Sequence, residues 1–349
     1  MNTTNVKKYR PIPLFYPFVS EGMRRAAYDA LKDKIITQGQ KVIELEKRLN
    51  SALGTKNLLT VNSGSSALEL AYHLLDLKPG DEVIAPVFTC TITNLPLLRR
   101  GVKIVFADVK DNLLPDWSDI ESKITKKTKA IADAHLFGQL NETRNLGIPV
   151  VGDAAQYLGK TFGERFTAYS FQAVKIMTTV DGGALVCERK QDYRRAKLLR
   201  WYGIDRETGK ESYDVDIKEA GYKYHMNDVT AAIGIAGLKI LDKLKKERAT
   251  LQNHYKECLR DIPGLQVIGG SPFLIHVFNR KKLMHKLAMA GIETGLGHRR
   301  NDMYTVFGGR RQNLPNMNRL EETYLLLPCH NHMTANDVDY ICESIRKNI

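Results

Sequence analysis

A lysine, Lys175, stands between two short apolar runs near the middle of the chain. Residues 168–171 before it are typical of the end of a strand, and residues 184–187 after it are typical of another strand. A lysine at such a strand–loop junction, with few carboxylates to pair with, can lose part of its hydration and become a usable amine nucleophile. Such lysines form Schiff bases with carbonyl groups. The competing interpretation is a solvated surface lysine, because the chain contains 52 lysines and arginines.

A second candidate site is the small-residue turn at residues 62–66. Residues 57–61 before it are typical of a short strand, and residues 67–77 after it have helical periodicity. The backbone N–H groups of such a turn and the positive end of the helix dipole can bind an anion, and the hydroxyls of Ser65 and Ser66 add donors. Serine also caps helices without any ligand, so an ordinary helix cap remains the alternative.

Further strands are predicted by apolar runs that alternate with helical segments, at residues 83–86, 102–107, 129–134 and 148–153. This alternation predicts a mostly parallel sheet with helices on both faces. In such sheets ligands bind at the carboxyl ends of the strands. Four polar residues fall at or just beyond predicted strand ends: Ser65, Cys90, Asp153 and Lys175.

The remaining elements divide the chain into two predicted domains. Helices are predicted over residues 21–53 with a break at 36–39, over 190–202, and over 227–246 with a continuation to 260; residues 204–220 show no clear element. After Pro263-Gly264, a strand at 274–278 and helices at 281–290 and 335–347 indicate a small α+β domain. We therefore expect a large domain over residues 1–245, with an N-terminal helical segment, and a small domain over residues 246–349.

The bulk composition limits the classes of protein. The 349 residues are 43% hydrophobic and 26% charged, which is ordinary for a globular chain. No apolar run reaches the roughly 18 residues that a membrane span needs, so no membrane association is expected. The net charge of +13 is compatible with a solvated basic surface, an anionic small substrate or nucleic acid. The basic residues are spread along the chain, and we predict no nucleic-acid partner.

Cysteine usage indicates a reduced protein. The five cysteines are scattered and form no C-x-x-C pair; they are Cys90, Cys187, Cys258, Cys329 and Cys342. This spacing indicates neither a zinc site nor a disulfide framework. We therefore predict no metal and a cytoplasmic location.

Seven segments, taken in order, carry a family resemblance. The three most informative are Ser63-Gly-Ser-Ser-Ala-Leu68, Gly152-Asp-Ala-Ala-Gln156, and Ser170-Phe-Gln-Ala-Val-Lys175 followed by Asp181-Gly-Gly183. The others are Ile36-Thr-Gln-Gly39, Pro79-Gly-Asp-Glu-Val-Ile84, His135-Leu-Phe-Gly-Gln139 and Leu326-Leu-Pro328. Together they resemble the DegT/DnrJ/EryC1/StrS family of pyridoxal-phosphate-dependent sugar aminotransferases over nearly the whole chain. The resemblance implies an α/β large domain of fold type I (aspartate aminotransferase-like) with a mostly parallel seven-stranded sheet, and a small α+β C-terminal domain.

The resemblance also implies roles for particular residues. Lys175 would carry pyridoxal 5'-phosphate, with pyridoxamine phosphate as the half-reaction form, and move the proton between substrate and cofactor. Asp153 would pair with the protonated pyridine nitrogen and keep the ring an electron sink. Gln156 would donate a hydrogen bond to the ring's phenolic oxygen. The phosphate would be held by Gly64, Ser65, Ser66 and Ser170.

Two positions depart from the family pattern. Cys90 stands where an aromatic residue usually covers the cofactor ring, so either Phe88 or the sulfur would cover that face. In Tyr222-Lys-Tyr-His225, Lys223 replaces the asparagine that reaches the phosphate of the neighbouring subunit in the family's homodimers. His225 would contact substrate. The stretches between Gln139 and Ile148 and after Gly269 are also shorter than usual, so a helix is expected to be missing in the first.

The expected activity is transfer of an amino group from glutamate to a nucleotide-linked keto sugar, in amino-sugar or surface-polysaccharide biosynthesis. The basic loop with His298, Arg299 and Arg300 would contact the sugar nucleotide, because arginine forks suit a diphosphate. A solvated basic turn is the alternative interpretation of this loop. A sugar dehydratase of the same family is one alternative, but its members carry histidine in place of the lysine. The other alternative is a regulatory protein on the same scaffold.

Overall fold

The computed structural model describes residues 10–206 and 214–349. The chain divides into two compact units, which we call the cofactor unit and the C-terminal unit. The cofactor unit contains Pro17–Lys243 and His298–Asn318, and the C-terminal unit contains Leu244–Gly297 and Arg319–Ile349 together with residues 10–16. The division at residue 245 predicted from the sequence differs in that it separates residues 10–16 and 298–318 from the units to which they belong.

The helices and strands alternate along most of the chain. The α-helices are α1 (Glu21–Ala30), α2 (Gln40–Leu53), α3 (Gly64–Leu74), α4 (Leu95–Arg99), α5 (Trp117–Ser122), α6 (Lys190–Arg200), α7 (Asp228–Leu238), α8 (Leu241–Leu259), α9 (Arg280–Met289), α10 (Pro315–Leu320) and α11 (Ala335–Arg346). The strands are β1 (Leu58–Val61), β2 (Glu82–Pro86), β3 (Lys103–Ala107), β4 (Thr128–Ala134), β5 (Val150–Asp153), β6 (Phe166–Ser170), β7 (Gly183–Cys187), β8 (Leu265–Gly269), β9 (Phe273–Val277) and β10 (Tyr324–Leu327).

The cofactor unit contains a seven-stranded sheet in the order β1-β7-β6-β5-β4-β2-β3. The pairs from β6 through β5, β4 and β2 to β3 are parallel, whereas β7 runs antiparallel to both β6 and β1. The mostly parallel seven-stranded sheet predicted from the sequence is therefore confirmed. Because β1 also runs in the direction of β6, all strands except β7 end at the same edge of the sheet.

Alternating side chains cover both faces of this sheet. Val83 in β2 packs in the same cluster as residues of α3 and α6, while the next residue, Ile84, packs with Trp117 of α5 on the opposite face. On the side of β1, β6 and β7, Leu58 belongs to a third cluster with residues of α2 and α7. A strand buried on both faces reads as a continuous apolar run, which is why these strands were recognisable in the sequence.

The C-terminal unit is built on a three-stranded antiparallel sheet in the order β10-β9-β8. Its core joins one face of the sheet to α8, α9 and α11 through residues such as Tyr255, Leu287 and Ile341, all of which are buried. The α+β character predicted for this region is confirmed, although β8 and β10 were not predicted as strands.

Several element boundaries differ from the prediction. The helical region at 21–53 is interrupted over residues 31–39, which is longer than the predicted break at 36–39, and the helix predicted over 227–260 is two helices separated by residues 239 and 240. The helix expected to be missing between Gln139 and Ile148 is indeed absent from that described stretch. Within the predicted irregular segment 204–220, residues 207–213 lie outside the described residues. In the part of the chain that is described, we find no helix with the length and apolar character that crossing a membrane requires.

A buried aspartate positions the start of α2. Asp228, the first residue of α7, accepts hydrogen bonds from the backbone N–H groups of Gly39, Lys41 and Val42 at 2.8–3.1 Å. These N–H groups lie at the N-terminus of α2, where no preceding turn can satisfy them and where a negative charge is favourable. Asp228 therefore fixes α2 to α7 across a long stretch of sequence.

Candidate active site

The predicted site residues of the cofactor unit converge on the edge at which the parallel strands end. Asp153 is the last residue of β5 and Ser170 is the last residue of β6. Lys175 follows in the loop after β6, and Cys90 follows the end of β2. The sequence analysis therefore placed Asp153, Lys175 and Cys90 at the end of the sheet where they lie, whereas Ser170 was named only through the family resemblance.

The N-terminus of α3 forms a cradle suited to an anion. Ser63 caps the helix by accepting a hydrogen bond from the N–H of Ser66 at 3.0 Å. A Cβ on Gly64 would lie 2.8 Å from Cβ of Ser170, and one on Gly183 would lie 2.5 Å from the backbone carbon of Ser63. Both distances are shorter than a side chain tolerates, so these two glycines let the turn lie directly against β6 and β7.

The hydroxyls around this cradle are not equivalent. Ser66 donates to Oδ1 of Asn62 at 2.6 Å and lies 2.9 Å from the hydroxyl of Ser63, so it is occupied within the turn. The Ser65 hydroxyl has no hydrogen-bond partner among the described residues, and Ser170 receives only a long bond of 3.4 Å from the N–H of Gln172. The donors best placed for a phosphate are therefore Ser65, Ser170 and the first N–H groups of α3. Ser66 instead stabilises the turn through its bonds to Asn62 and Ser63.

Asp153 is held by a chain of hydroxyl groups. Its Oδ2 accepts a hydrogen bond from Oγ1 of Thr93 at 2.6 Å, and its Oδ1 accepts one from the N–H of Ala155 at 3.0 Å. Thr93 and Thr89 hydroxyls lie 2.8 Å apart. Since the proton of Thr93 points to the carboxylate, Thr89 is the donor in that pair. Asn301 in turn donates to the backbone carbonyl of Thr89 at 2.8 Å. The carboxylate is buried and fixed in orientation.

Lys175 is partly buried and has no hydrogen-bond or ion-pair partner at Nζ within the described chain. Burial lowers the pKa of its ammonium below the usual value, while the negative charge of Asp153 opposes that shift. A lowered pKa increases the fraction of free amine near neutral pH, which is what a nucleophilic lysine needs. This environment differs from that of a solvated surface lysine, the competing interpretation of the sequence.

Gln156 and His298 are fixed to each other near the lysine. Oε1 of Gln156 accepts a hydrogen bond from the N–H of Phe137 at 2.9 Å, and its Nε2 lies 2.9 Å from Nε2 of His298. The amide nitrogen can only donate, so Nε2 of His298 accepts and the imidazole is neutral. Burial and the nearby charge of Lys175 lower the pKa of His298 to about 4, in agreement with this assignment.

The two candidates for covering a cofactor ring are placed differently. Phe88 is fully buried, with its ring centroid 6.4 Å from that of Phe137 and 5.8 Å from that of His298. Cys90 is exposed, and the charges of Asp153 and Lys175 both act on its thiol, whose pKa is raised chiefly by desolvation. Cys90 is thus the one that faces the lysine and the carboxylate.

Residues 222–225 lie beside the cradle through backbone contacts within the same chain. The N–H of Asn62 donates to the carbonyl of Tyr224 at 2.7 Å, and Nδ2 of Asn62 donates to the carbonyl of Lys223 at 3.2 Å. The side chain of Lys223 is exposed. His225 stacks on Trp201 with ring centroids 3.6 Å apart, and desolvation with nearby cations lowers its pKa to about 4.

The basic loop corrects one of the predicted substrate contacts. Arg300 is 1% exposed, and its guanidinium donates two hydrogen bonds of 2.7 Å to the carboxylate of Asp302 and one to Asn318. Arg300 therefore forms a structural ion pair with Asp302 and is not a substrate ligand. Arg299 is exposed, with its guanidinium 5.2 Å from the ring centroid of Tyr304, and it remains a candidate for binding an anion.

Sequence comparison now decides the family. The model of the DegT/DnrJ/EryC1/StrS aminotransferase family matches residues 19–346. The chain belongs to this family. It is 30% identical over 352 residues to the UDP-4-amino-4,6-dideoxy-N-acetyl-beta-L-altrosamine transaminase of Campylobacter jejuni, covering 90% of this chain and 92% of that protein. It is 29% identical over 377 residues to the UDP-4-amino-4-deoxy-L-arabinose–oxoglutarate aminotransferase of Shewanella sediminis, covering 96% of this chain and 97% of that protein.

A solved structure gives the same result for the fold. The putative sugar aminotransferase Spr1654 of Streptococcus pneumoniae, in its pyridoxal phosphate form, superposes with a TM-score of 0.88 and 25% sequence identity. The match covers 97% of this chain and 98% of that one. The predicted family and the predicted fold type are therefore confirmed.

One part of the site was missed by the sequence analysis, namely the hydroxyl chain that holds Asp153. The sequence analysis assigned no role to Thr93 or to Thr89. A signal was present, since both threonines flank Cys90 just beyond β2. A threonine that follows a strand end can turn its hydroxyl towards a neighbouring strand end.

Proposed function

We propose that the protein is a pyridoxal-phosphate-dependent aminotransferase that transfers the amino group of glutamate to a nucleotide-diphosphate-linked keto sugar. One observation carries the proposal: Lys175, with a lowered pKa and no partner at Nζ among the described residues, shares a strand-end site with the fixed carboxylate of Asp153 and the anion cradle of α3. The two relatives named above as transaminases of UDP-linked amino sugars support the substrate class.

The residues of the cofactor unit fit the group that the family uses. Pyridoxal phosphate, when bound, supplies an aldehyde and an electron-withdrawing ring that acidifies the carbon carrying the amino group. The N–H groups at the start of α3, with Ser65 and Ser170, would bind its phosphate. Asp153 would hold a proton on the pyridine nitrogen, and Nζ of Lys175 would accept and return the proton of the reacting carbon.

The amine of Lys175 and the donor can be tested separately. Purified protein incubated with pyridoxal phosphate and reduced with borohydride should carry the label on Lys175, as located by mass spectrometry. In a separate sample that has not been reduced, glutamate should convert bound pyridoxal phosphate into pyridoxamine phosphate, and a UDP-linked 4-keto sugar should reverse the change. A protein that takes up no cofactor refutes the proposal, whereas cofactor uptake without response to any keto sugar refutes only the substrate class.

We further propose that the working unit is a homodimer, with Lys223 reaching the phosphate of the partner's site. The long helical pattern from residue 227 onward contains many apolar residues, but those of α7 are buried against α1 and α2 of the same chain and so do not support a twofold interface. Support comes instead from large apolar side chains that are exposed near α1 and α2: Tyr28, Leu31, Ile35, Ile36 and Ile43. Exposed apolar groups of this kind mark interaction surfaces.

Subunit complementation tests the shared site. Lys175→Ala and Lys223→Ala should each be impaired, and a mixture of the two should recover activity, because one site of each mixed dimer keeps both lysines. A monomer with full activity, or verified subunit exchange without recovery, would contradict the shared site. A cytoplasmic location belongs to the same proposal and is supported by the free state of all five cysteines.

Arg299 provides the test of the substrate contact, with Arg300 as its structural counterpart. Arg299→Ala should raise the KM for the nucleotide sugar and leave the KM for glutamate unchanged, because only the former carries a diphosphate. Arg300→Ala should instead lower stability, since it leaves the carboxylate of Asp302 buried and unpaired. Equal KM values for the nucleotide sugar in Arg299→Ala and in the wild type would show that Arg299 does not contact the substrate.

A further inference from the structure

A cluster of metal-type ligands lies in the C-terminal unit, on two helices outside the candidate active site. α8 carries His254 and Cys258 one helical turn apart, and α11 carries Asp339. Nε2 of His254, Sγ of Cys258 and a carboxylate oxygen of Asp339 all lie within 4.8 Å of one another. The three side chains are partly exposed, so an ion can reach them from solvent.

The distances in this cluster are close to those of a coordination shell. Sγ of Cys258 lies 3.9 Å from Nε2 of His254 and 3.8 Å from Oδ1 of Asp339. Ligands bound to a tetrahedral zinc ion at their usual bond lengths lie about 3.3–3.8 Å from one another. His254 and Asp339 are closer, at 2.7 Å, because a hydrogen bond joins them. A zinc ion would replace that hydrogen bond and increase the distance between the two atoms by about 0.6 Å.

A second cysteine lies on α11 beside this cluster. Cys342 follows Asp339 by three residues, so both side chains lie on one face of the helix. Cys342 is buried, and its thiol does not belong to the group of ligand atoms that lie within 4.8 Å of one another. A tetrahedral ion bound by the other three side chains would therefore keep its fourth position for water.

We propose that His254, Cys258 and Asp339 bind a zinc ion that joins α8 to α11. A thiolate and an imidazole select zinc over magnesium or calcium, which prefer oxygen ligands. Cys258 loses its proton to solvent as the ion binds. The ion would reinforce the apolar contact between the same two helices that includes Tyr255 and Ile341. The sequence analysis predicted no metal because it searched for C-x-x-C pairs, whereas these ligands lie on separate helices.

Zinc content and cobalt spectroscopy test the site. Full-length protein dialysed against zinc chloride under reducing conditions and then gel-filtered should retain about one zinc ion per chain. His254→Ala and Cys258→Ser should each bind zinc at least about tenfold more weakly, since even outer-shell changes cost about 10–100-fold. His285→Ala, an exposed histidine of α9, is the matched control and should retain zinc as the wild type does. Cobalt in place of zinc should give a thiolate charge-transfer band that Cys258→Ser removes and Cys342→Ser leaves unchanged.

A wild-type chain that retains less than about a tenth of a zinc ion overturns the proposal and leaves His254 and Asp339 as an ordinary ion pair. Zinc content that neither His254→Ala nor Cys258→Ser lowers also overturns it, as does a cobalt spectrum without a thiolate band. Circular dichroism of each variant separates ligand loss from unfolding, and a native helical signal with lost metal supports the site.

Discussion

The hydroxyl of Thr93 allows a sharp test of how the active site holds its carboxylate. Oγ1 of Thr93 donates to Oδ2 of Asp153 at 2.6 Å, and both side chains are buried. Thr93→Val replaces this hydroxyl with a methyl group of similar size. The variant therefore removes a hydrogen-bond donor from a buried carboxylate and also the acceptor of the Thr89 hydroxyl.

The expected magnitude follows from the remaining contacts. A hydrogen bond to a charged group contributes about 1.5–3 kcal/mol. Asp153 keeps the N–H of Ala155 at 3.0 Å, so the carboxylate is not left without a donor. We expect Thr93→Val to lower the free energy of unfolding of the cofactor-free protein by about 2 kcal/mol. Binding of pyridoxal phosphate should weaken by about tenfold, because a less rigid carboxylate pairs less well with the pyridine nitrogen.

Urea unfolding followed by circular dichroism gives the first quantity, and titration with pyridoxal phosphate gives the second. Thr89→Val is the matched control, since its hydroxyl contacts Thr93 at 2.8 Å. Because the hydroxyl of Thr89 has no charged partner, Thr89→Val should lower the free energy of unfolding by only about 1 kcal/mol. Thr93→Ser keeps the hydroxyl and should largely retain cofactor affinity. If Thr93→Val stays within about 0.5 kcal/mol of wild type and binds cofactor equally well, the hydroxyl does not position Asp153.

Three further predictions concern the charged groups of the site. Lys175→Met should abolish transamination yet stabilise the cofactor-free protein, because the native lysine has a lowered pKa and methionine has no ammonium to desolvate. That gain in the free energy of unfolding should shrink as the pH rises towards 10.5. In this range the unfolded wild type binds more protons than the folded one, so the wild type becomes more stable with increasing pH. A gain that does not depend on pH would contradict the lowered pKa of Lys175. His298→Gln should make the protein less acid-sensitive, because His298 titrates at about 4 when folded against 6.5 when unfolded. Between those pH values the wild type should lose about 2–3 kcal/mol more than the variant in urea unfolding, and parallel losses would exclude His298 as the cause. Asp153→Ala should fold but bind pyridoxal phosphate weakly and lose most turnover, and a variant with wild-type rates would refute its role.

The sequence was sufficient to predict the parts of the site that depend only on where each strand ends along the chain. β5 ends at Asp153 and β6 ends at Ser170 because each strand is a short apolar run that stops at a polar residue. Parallel strands must then bring such residues to one edge, and the turn before α3 adds its N–H groups at the same edge. The lysine loop is therefore predictable without any knowledge of distant contacts.

The sequence was insufficient where a side chain finds its partner across the fold. The bond that Thr93 donates to Asp153 joins residues 60 positions apart, and the bond that the N–H of Gly39 donates to Asp228 joins residues 189 positions apart. Arg300 shows a different limit, since its partner Asp302 is only two residues away. Burial, which a charged loop sequence does not reveal, decides between an ion pair and a ligand.

The arrangement around Lys175 resolves a conflict between the two charges that the proposed chemistry needs. Asp153 must be ionised, yet a carboxylate paired directly with Lys175 would stabilise the ammonium and remove the nucleophile. In the structure the carboxylate is already held by the hydroxyl of Thr93 and the N–H of Ala155, while Nζ of Lys175 has no ion-pair partner among the described residues. Neutral donors thus stabilise the aspartate without supplying a second cation, and burial still lowers the pKa of the lysine against the attraction of that charge. The hydroxyl chain from Thr89 through Thr93 therefore contributes to keeping the amine reactive as well as to orienting the carboxylate.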